Sequence, residues 1–206
     1  MLLAIAPWIQ IDIALVLAGF CAIGALDDYR GLRPAMKAVL LVPPSAAAVW
    51  FTGEIWIGPA CWASANALNM LDHADGTAAS TCAVSLFVAD GALGPSGAGA
   101  SLGFLTHNWP PARTFLGDSG SLMLGALLVL AWSPQGPIAT LGGTAVPLID
   151  AAFVVIRRIR NRQVPWIGGT DHTGHELLRR GVNPRYLPLV YGLAASAAAL
   201  LGVAWT

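Results

Sequence analysis

The sequence predicts an all-α, polytopic integral membrane protein, and three observations support this fold class. The 206 residues are 56% hydrophobic and only 11% charged, whereas soluble domains carry about 25% charged residues. Long apolar stretches alternate with short polar loops, which is the pattern expected of helices in lipid. All eleven Lys and Arg residues fall in a few of these loops. Lipid is therefore the expected solvent for most of the chain.

About eight apolar segments are candidate transmembrane helices. They span residues 10–26, 34–50, 55–71, 77–89, 92–106, 119–133, 136–156 and 186–205. A helix that crosses a hydrocarbon core of about 30 Å needs about 20 residues, and several segments are shorter. Pro43 and Pro44 interrupt the second segment, while glycines and Pro95 weaken the helix prediction for the fifth.

The order of the segments places the basic residues on one side of the membrane. Two apolar segments separate each polar motif from the next. If each segment crosses the membrane once, all the motifs lie on the same face. Loops 27–37 and 157–185 hold ten of the eleven basic residues, and Arg113 lies in a third loop on that face. By the positive-inside rule this face is cytoplasmic. The chain is predicted to be one transmembrane domain, residues 1–206, in the inner (plasma) membrane, and its zero net charge gives no reason to expect nucleic acid as a partner.

Two adjacent carboxylates, Asp27 and Asp28, end the first apolar segment. They could simply mark the end of a membrane helix, with Pro34 opening the next one. Adjacent carboxylates repel each other, so one has a raised pKa or both need a cation to stay ionised. The pair is therefore a candidate for proton transfer or for metal binding.

Four polar residues recur every three positions in the motif NALNMLDHADG: Asn66, Asn69, Asp72 and Asp75. On a helix this spacing places them on one slowly drifting surface. The Asp-Gly pair that ends the motif is also good turn chemistry, so a simple exit from the membrane is the alternative. Because polar residues at membrane depth usually serve function, a functional surface is favoured.

The motif FLGDSGS precedes the sixth segment and allows three interpretations. Asp118 or Ser119 could be the N-cap of that helix. The small residues could instead let a phosphate approach the backbone amides of the helix N-terminus. Alternatively, the Asp118 carboxylate could hold a hard cation such as Mg²⁺, with phosphate oxygens completing its coordination.

The motif GGTDHTGHELL follows a basic stretch and contains two histidines three residues apart. His172 and His175 could share a helix face and bind zinc, but no neighbouring Cys or His completes such a site. Phosphate or nucleotide binding by the histidines, Arg179 and Arg180 is favoured. Asp150, inside the seventh segment, is predicted to be a buried hydrogen-bond partner rather than a catalytic group.

Taken in order, these motifs resemble the polyprenyl-phosphate N-acetylhexosamine-1-phosphate transferases of glycosyltransferase family 4. The resemblance rests on LDDYRGLRPAMK, NALNMLDHADG, NWPPARTFLGDSGSLMLG, PLIDAAFVVIRR and DHTGHELL. Each motif alone is weak, but the ordered set is specific and extends from Ala18 to Gly181. The residues of PPAR and GDSGS are more similar to family members that transfer GlcNAc-1-phosphate than to those that transfer the phospho-muramoyl-pentapeptide.

The resemblance implies packed transmembrane helices with a cytoplasmic active site. It implies transfer of HexNAc-1-phosphate, expected to be GlcNAc-1-phosphate, from a UDP-sugar to polyprenyl (undecaprenyl) phosphate, with release of UMP. Mg²⁺, or alternatively Mn²⁺, would be the cofactor. The expected role is to initiate cell-envelope glycan synthesis, such as that of cell wall, O-antigen or lipopolysaccharide, and a homodimer is compatible with the family.

The same resemblance implies roles for individual residues. Asp118 corresponds to the Mg²⁺ ligand, and Asp27 and Asp28 to an aspartate pair that deprotonates the lipid phosphate or assists the metal. The residues expected to contact the substrates are Lys37, Asn69, Asp72, Asp75, His172 and His175.

The chain departs from the family pattern at three points. Gly174 stands where many members have another histidine, and His73 replaces a glycine beside Asp72. The family also has two or three further helices before the aspartate pair. The alternatives to an active transferase are a truncated, non-catalytic remnant that binds lipid phosphate or nucleotide, and a subunit completed by another chain. A transporter is disfavoured because no inverted repeat is visible.

Overall fold

The structure is a computed structural model that describes residues 6–164 and 171–205, with side chains from residue 11 onward. This part of the chain is all-helical, as predicted, and contains ten α-helices. They are α1 (Ala6–Arg30), α2 (Pro34–Leu40), α3 (Val42–Thr52), α4 (Ile57–Leu71), α5 (Thr77–Val88), α6 (Leu93–Asn108), α7 (Gly117–Trp132), α8 (Pro137–Arg160), α9 (Thr173–Arg179) and α10 (Leu187–Ala204). The first three residues of the GGTDHTGHELL motif, 168–170, lie outside the described residues.

Each of the eight apolar segments corresponds to helix in the structure, and the boundaries follow local sequence signals. α2 begins at Pro34, as predicted, because proline suits the first position of a helix. The Asp75–Gly76 turn precedes α5, and Gly76 adopts a positive φ of 74°. Despite its glycines and Pro95, the fifth segment forms the 16-residue helix α6.

The second apolar segment forms two helices. α2 ends at Leu40 and α3 begins at Val42, because Pro43 and Pro44 lack the amide hydrogens that would continue the bonding pattern of α2. Leu41 keeps right-handed helical angles between them, with φ −74° and ψ −11°. The two helices together form one interrupted apolar helix.

The expected number of about eight membrane spans is not confirmed. Among the described residues, three stretches are long and apolar enough to cross a membrane: Pro34–Thr52, Pro137–Arg160 and Pro184–Ala204. The helices α4 to α7 have 12 to 16 residues each. At about 1.5 Å per residue they reach about 18–24 Å, which is less than a hydrocarbon core of about 30 Å.

Helix α7 lies at the centre of the described helices and contacts α1, α4, α5, α6 and α8. Small residues allow the close approach of α4. A Cβ added to Gly125 would lie 2.5 Å from Ala65 Cα, and the Ser64 hydroxyl donates to the Gly125 carbonyl at 2.7 Å. Small residues and interhelical hydrogen bonds are the usual means of helix association in lipid.

The outward faces of the last two long helices are apolar. Ile149 on α8 and Leu193 on α10 are 66% and 71% exposed, whereas Thr140 and Thr144 of α8 are buried inside the bundle. A protein in water would reverse this arrangement. The apolar exterior therefore agrees with a membrane-embedded bundle.

Candidate active site

Lys37 lies at the centre of a group of polar side chains at one end of the bundle. Its ammonium nitrogen is 2.7 Å from Asp27 Oδ2 and 2.5 Å from Asp118 Oδ2, and it donates to Asn69 Oδ1 at 3.2 Å. The three partners come from α1, α7 and α4, so motifs distant in the sequence meet at one cation. We call Asp27, Lys37, Asn69 and Asp118 the lysine cluster.

Asn69 orients Asp118 within the lysine cluster. Its amide nitrogen donates to Asp118 Oδ1 at 2.7 Å and to the Ser121 hydroxyl at 2.9 Å, while its oxygen accepts from Lys37. Both ends of the amide are thus used, and the Asp118 carboxylate is held by two neighbours. Asn69 therefore positions the Asp118 carboxylate, and its expected contact with a substrate stays a prediction.

The four-residue polar surface predicted from the three-residue spacing is only partly formed. Asn66, Asn69 and Asp72 line one cavity, although the Asn66 amide also donates to the Trp62 carbonyl at 2.7 Å. Asp75 is not on this surface, because α4 ends at Leu71 and helical spacing no longer applies beyond it. The Asp75 carboxylate instead accepts from the Ala112 amide at 2.9 Å, in the loop before α7.

Asp28 caps helix α7 from the end of α1. Its carboxylate accepts from the backbone amides of Asp118 at 2.8 Å and Ser119 at 3.0 Å. Of the three interpretations of this motif, the one that makes Asp118 or Ser119 the N-cap is wrong, since Leu116 occupies that position and the capping carboxylate comes from a distant helix. The same contacts occupy the backbone amides at this helix N-terminus that would otherwise be open to a phosphate.

Asp27 turns away from its neighbour in the sequence and towards Lys37. It is only 9% exposed, and its second oxygen accepts from the Leu32 amide at 2.5 Å. The adjacent carboxylates thus point to different partners, which reduces their mutual repulsion. Asp27 belongs to the lysine cluster, and Asp28 connects α1 to α7.

Asp72 lies next to the lysine cluster and has no hydrogen-bond or ion-pair partner for its carboxylate among the described residues. Burial raises its pKa to about 7, and the negative charges of Asp118, Asp75 and Asp28 act in the same direction. A carboxyl in this setting is ionised only at a cost in free energy unless a cation is near.

These carboxylates fit a hard divalent cation. One ammonium group, that of Lys37, faces Asp27 and Asp118, and Asp72 adds a third carboxyl nearby that has no partner in the described ranges 6–164 and 171–205. Mg²⁺ prefers oxygen ligands and uses one or two carboxylates together with phosphate oxygens. Asp118 is the residue that would hold the ion, as the sequence predicts.

A second polar group surrounds His172, at the start of α9. Its Nδ1 lies 2.9 Å from Asp150 Oδ2, and the other oxygen of Asp150 accepts from the Thr173 amide at 3.1 Å and from the Thr173 hydroxyl. Asp150 is 2% exposed. The prediction that Asp150 is a buried hydrogen-bond partner is confirmed.

Two further imidazoles adjoin His172. The ring of His73 stacks on that of His172, with centroids 4.3 Å apart and planes 19° from parallel. His175 lies on another side of His73, with centroids 4.8 Å apart. We call His73, His172 and His175 the histidine cluster. His73 was not predicted as a site residue, because only its place beside Asp72 could have indicated it.

Burial lowers the pKa of His73 to about 4, and the nearby imidazole of His172 acts in the same direction. The pKa of His175 is also lowered, by burial and by His172. His73 is therefore neutral at physiological pH, which suits a ring whose two nitrogens are buried and make no hydrogen bond of normal geometry within the described part of the chain.

The histidine cluster contains enough ligand atoms for a zinc site, but its geometry does not suit one. His73, Asp150 and His172 each offer a ligand atom, and these atoms lie within 4.8 Å of one another. The structure thus provides the third residue that the sequence did not reveal. However, rings stacked face to face do not direct two nitrogen lone pairs at one ion. The arrangement suits ring stacking better than shared coordination.

Arg158 holds the start of α9 to the end of α8. Its guanidinium donates to both oxygens of Asp171, at 2.7 Å and 2.6 Å, and is buried. Hydrogen bonds from Arg158 lower the pKa of Asp171. A bidentate pair of this kind fixes the relative orientation of the guanidinium and the carboxylate in addition to pairing their charges. Arg158 is thus more than one of the exposed basic residues that mark the inside face.

A cavity of about 720 Å³ connects the two groups. Its lining includes Lys37, Asn69 and Asp72 from the first group and its neighbourhood, together with His73, Arg158 and His172. Asp75 and His175 line a separate cavity of about 230 Å³, and His73 borders both. Of the nine predicted site residues, six therefore belong to the larger cavity or its lysine cluster.

The bundle and its polar cavity define a class of protein, an apolar helical bundle of the membrane-protein type with a charged site at the ends of its helices. Comparison with known proteins supplies the family. Residues 50–133 match the sequence model of glycosyl transferase family 4. A putative glycosyltransferase of Streptomyces coelicolor is 34% identical over 91% of this chain and 52% of its own length.

Two further relatives carry more specific names. The undecaprenyl-phosphate alpha-N-acetylglucosaminyl 1-phosphate transferase of Escherichia coli K12 is 27% identical over 88% of this chain and 61% of its own length. The phospho-N-acetylmuramoyl-pentapeptide-transferase of a Synechococcus strain is 32% identical over 82% of this chain and 59% of its own length.

The chain belongs to glycosyl transferase family 4, and the family predicted from its motifs is confirmed. It spans between 52% and 61% of the length of these three relatives. Relatives from both branches match, so the preference for the GlcNAc-1-phosphate branch stays a prediction.

Proposed function

We propose that this protein transfers HexNAc-1-phosphate, specifically GlcNAc-1-phosphate, from a UDP-sugar to polyprenyl phosphate and releases UMP. The observation that carries the proposal is the lysine cluster, in which Asp27 and Asp118 from distant motifs share the Lys37 ammonium. The names of the relatives support the same reaction class.

The reaction joins two anions, so the site must supply positive charge and position. An oxygen of the lipid phosphate forms a bond to the β-phosphorus of the UDP-sugar. The bond from that phosphorus to the bridging oxygen breaks, and UMP leaves with the electron pair. Mg²⁺ held by Asp118 would supply charge neutralisation for the diphosphate.

Other residues of this chain would bind the phosphates and position the groups that act on them. Lys37 borders the cavity and offers an ammonium to a phosphate oxygen, while Asp27 orients that ammonium. Asp28 holds the first turn of α7 and thereby Asp118. A phosphate monoester has a second pKa of about 6, so the lipid phosphate arrives largely deprotonated and needs little help from a base.

The cavity and an adjoining groove suit the two kinds of substrate. Its polar part, between the lysine cluster and His172, suits a nucleotide diphosphate. Trp62 borders this cavity and also an apolar groove of about 380 Å³ between α3 and α4. That groove, which includes Val42 and Val49, suits the isoprenoid chain of the acceptor. The proposed setting is the inner membrane, with the polar site at the cytoplasmic boundary.

The test measures UMP release by the purified chain in detergent with UDP-GlcNAc, undecaprenyl phosphate and Mg²⁺. We expect Asp118→Asn to lower turnover by at least about 100-fold, as is typical for loss of one charge-stabilising group. Asp90→Asn, at the exposed turn between α5 and α6, is the matched control and should leave turnover unchanged.

Two outcomes distinguish the proposal from its alternative. A lipid-linked sugar that disappears with Asp118→Asn supports transfer. Binding of UMP or undecaprenyl phosphate without any turnover supports a non-catalytic binding protein or a subunit that requires another chain. In that case the transferase proposal is rejected for this chain alone.

A further inference from the structure

His73 occupies an unusual position for a polar side chain. Its ring is enclosed by His172, His175 and Tyr191, the last at a centroid distance of 6.4 Å with its ring plane at 71° to that of His73. Both ring nitrogens are buried, and neither makes a hydrogen bond of normal geometry to any residue that the structure describes. Buried polar atoms are normally paired, so a residue that leaves two unpaired needs another reason for its place.

Gly174 makes room for this ring. A Cβ added to Gly174 would overlap His73 Nε2 and would lie 3.2 Å from the Tyr191 hydroxyl. Gly174 lies within helix α9 and has no positive φ, so backbone conformation does not require glycine there. Glycine is a poor helix former. The space taken by His73 is therefore the physical reason for glycine at this position.

His172 is the residue that this arrangement constrains. Asp150 engages its Nδ1 at 2.9 Å, which leaves Nε2 as the ring nitrogen available to a ligand in the 720 Å³ cavity. His73 covers one face of the same ring at 4.3 Å. A hydrogen bond at one edge and a stacked ring on one face together restrict both ring rotations.

We propose that His73 is a positioning residue for His172, and that Gly174 is its necessary counterpart. The stacked His73 ring holds the His172 imidazole with Nε2 towards the nucleotide part of the cavity. This inference rests on the proposed function, because the ligand of His172 is taken to be the donor nucleotide. Ring shape, rather than the His73 nitrogens, carries the effect.

The first experiment measures UMP affinity in detergent with Mg²⁺ for His73→Ala, Gly174→Ala and the double variant. Each single change should weaken UMP binding by about tenfold. The double variant should bind no more weakly than either single variant, because the methyl group added at position 174 meets no ring once His73 is gone. Additive losses, or unchanged affinity in His73→Ala, would overturn the proposal.

The variant His73→Phe separates ring stacking from nitrogen chemistry. It keeps a planar ring beside His172 and should keep UMP affinity within about threefold of the wild type. Loss as large as that of His73→Ala would mean that the nitrogens themselves matter, which contradicts the proposal. A change in thermal unfolding alone, with UMP affinity unaltered, would indicate a purely structural role and also contradict it.

A measurement without nucleotide distinguishes failure of this inference from failure of the proposed function. Diethyl pyrocarbonate modifies accessible imidazole nitrogens, and mass spectrometry reports the modified residue. We expect His172 to be modified several-fold faster in His73→Ala than in the wild type or in His73→Phe. If the wild type binds no UMP, the proposed function fails; if the modification rate is unchanged, the positioning role fails.

Discussion

Lys37 shows how a single side chain defines the site. Its ammonium is the shared partner of Asp27 and Asp118, and the side chains of all three are less than one-third exposed. Pairs with this degree of burial are sensitive to the loss of one member, because the remaining charge has no replacement partner. The nearby carboxyl of Asp72 makes the loss of this cation more costly still.

Replacing Lys37 by methionine should therefore affect both stability and activity. We expect the free energy of unfolding to fall by about 3 kcal/mol, within the range for breaking a buried ion pair. UMP release should fall by about 100-fold or more, as expected for a group that stabilises developing charge. Arg33→Met, at an exposed neighbouring position, is the control. Full activity in Lys37→Met would contradict the assignment of the site.

The lowered pKa of His73 makes a prediction about pH. Burial, followed by the neighbouring His172 and His175, favours the neutral ring, and Asp150 opposes them. The folded-state pKa of about 4 lies below the ordinary value of 6.5. The unfolded chain thus takes up a proton first as pH falls. This contribution to stability is present above pH 6.5 and is lost as pH falls towards 4.

The measurement is the thermal unfolding temperature in detergent between pH 7 and pH 4.5. Over this range the free energy of unfolding of the wild type should fall by about 2 kcal/mol more than that of His73→Phe. Each unit of pKa shift corresponds to about 1.4 kcal/mol, and the total is reduced because His73 is only partly buried. His107→Phe, at an exposed position, should behave like the wild type. Parallel pH curves for the wild type and His73→Phe would disprove the pKa argument.

Among the helices, the junction between α1 and α7 positions the metal-binding residue. Asp28 accepts from the first-turn amides of α7, and Gly117 at the start of that helix has φ +66°. A Cβ at Gly117 would lie 2.9 Å from Asp28 Oδ2. Glycine is thus required here both by the backbone angle and by the space for the capping carboxylate.

Gly117→Ala should loosen this junction. We expect a loss of about 1–2 kcal/mol in the free energy of unfolding, because alanine is strained at positive φ, together with weaker Mg²⁺-dependent activity. Gly99→Ala is a matched control, since Gly99 lies within α6, has no positive φ and has open space where a Cβ would be. Equal unfolding temperatures for Gly117→Ala and Gly99→Ala would refute the capping argument.

For the whole molecule, the predicted number of membrane crossings is the main prediction that still needs a test. Among the described residues, three stretches are long enough to span a membrane, whereas the segment count requires about eight crossings. Short helices can cross a locally thinned bilayer at a modest cost per ångström. The apolar exterior and the small residues around α7 agree with such a compact bundle.

Cysteine labelling in cells tests the crossing pattern. In a background with Cys21, Cys61 and Cys82 changed to alanine, Arg185→Cys should react with a membrane-impermeant maleimide only after the inner membrane is opened. Asp90→Cys should react from the outside in intact spheroplasts. If both positions were labelled from the same side, the predicted number of membrane crossings between Asp90 and Arg185 would be wrong.

Much of the site could be predicted because its residues are unusual for their surroundings. Carboxylates, histidines and Asn69 stand out in an apolar sequence, and their order is specific to a family. The division of roles within the motifs could not be predicted. Asp27 and Asp28 are equivalent in sequence, and only the direction of the last turn of α1 sends one to Lys37 and the other to α7.

Local composition alone established the helical class of this chain, the breaks at its prolines and the polar residues worth examining, because hydropathy and turn chemistry act over a few neighbouring residues. Tertiary packing decided that Asp75 leaves the cavity, that Asp28 caps a distant helix and that His73 joins His172. These outcomes depend on which helix ends meet and how much space a neighbour such as Gly174 leaves. Such contacts join residues far apart in the chain, and no local pattern records them.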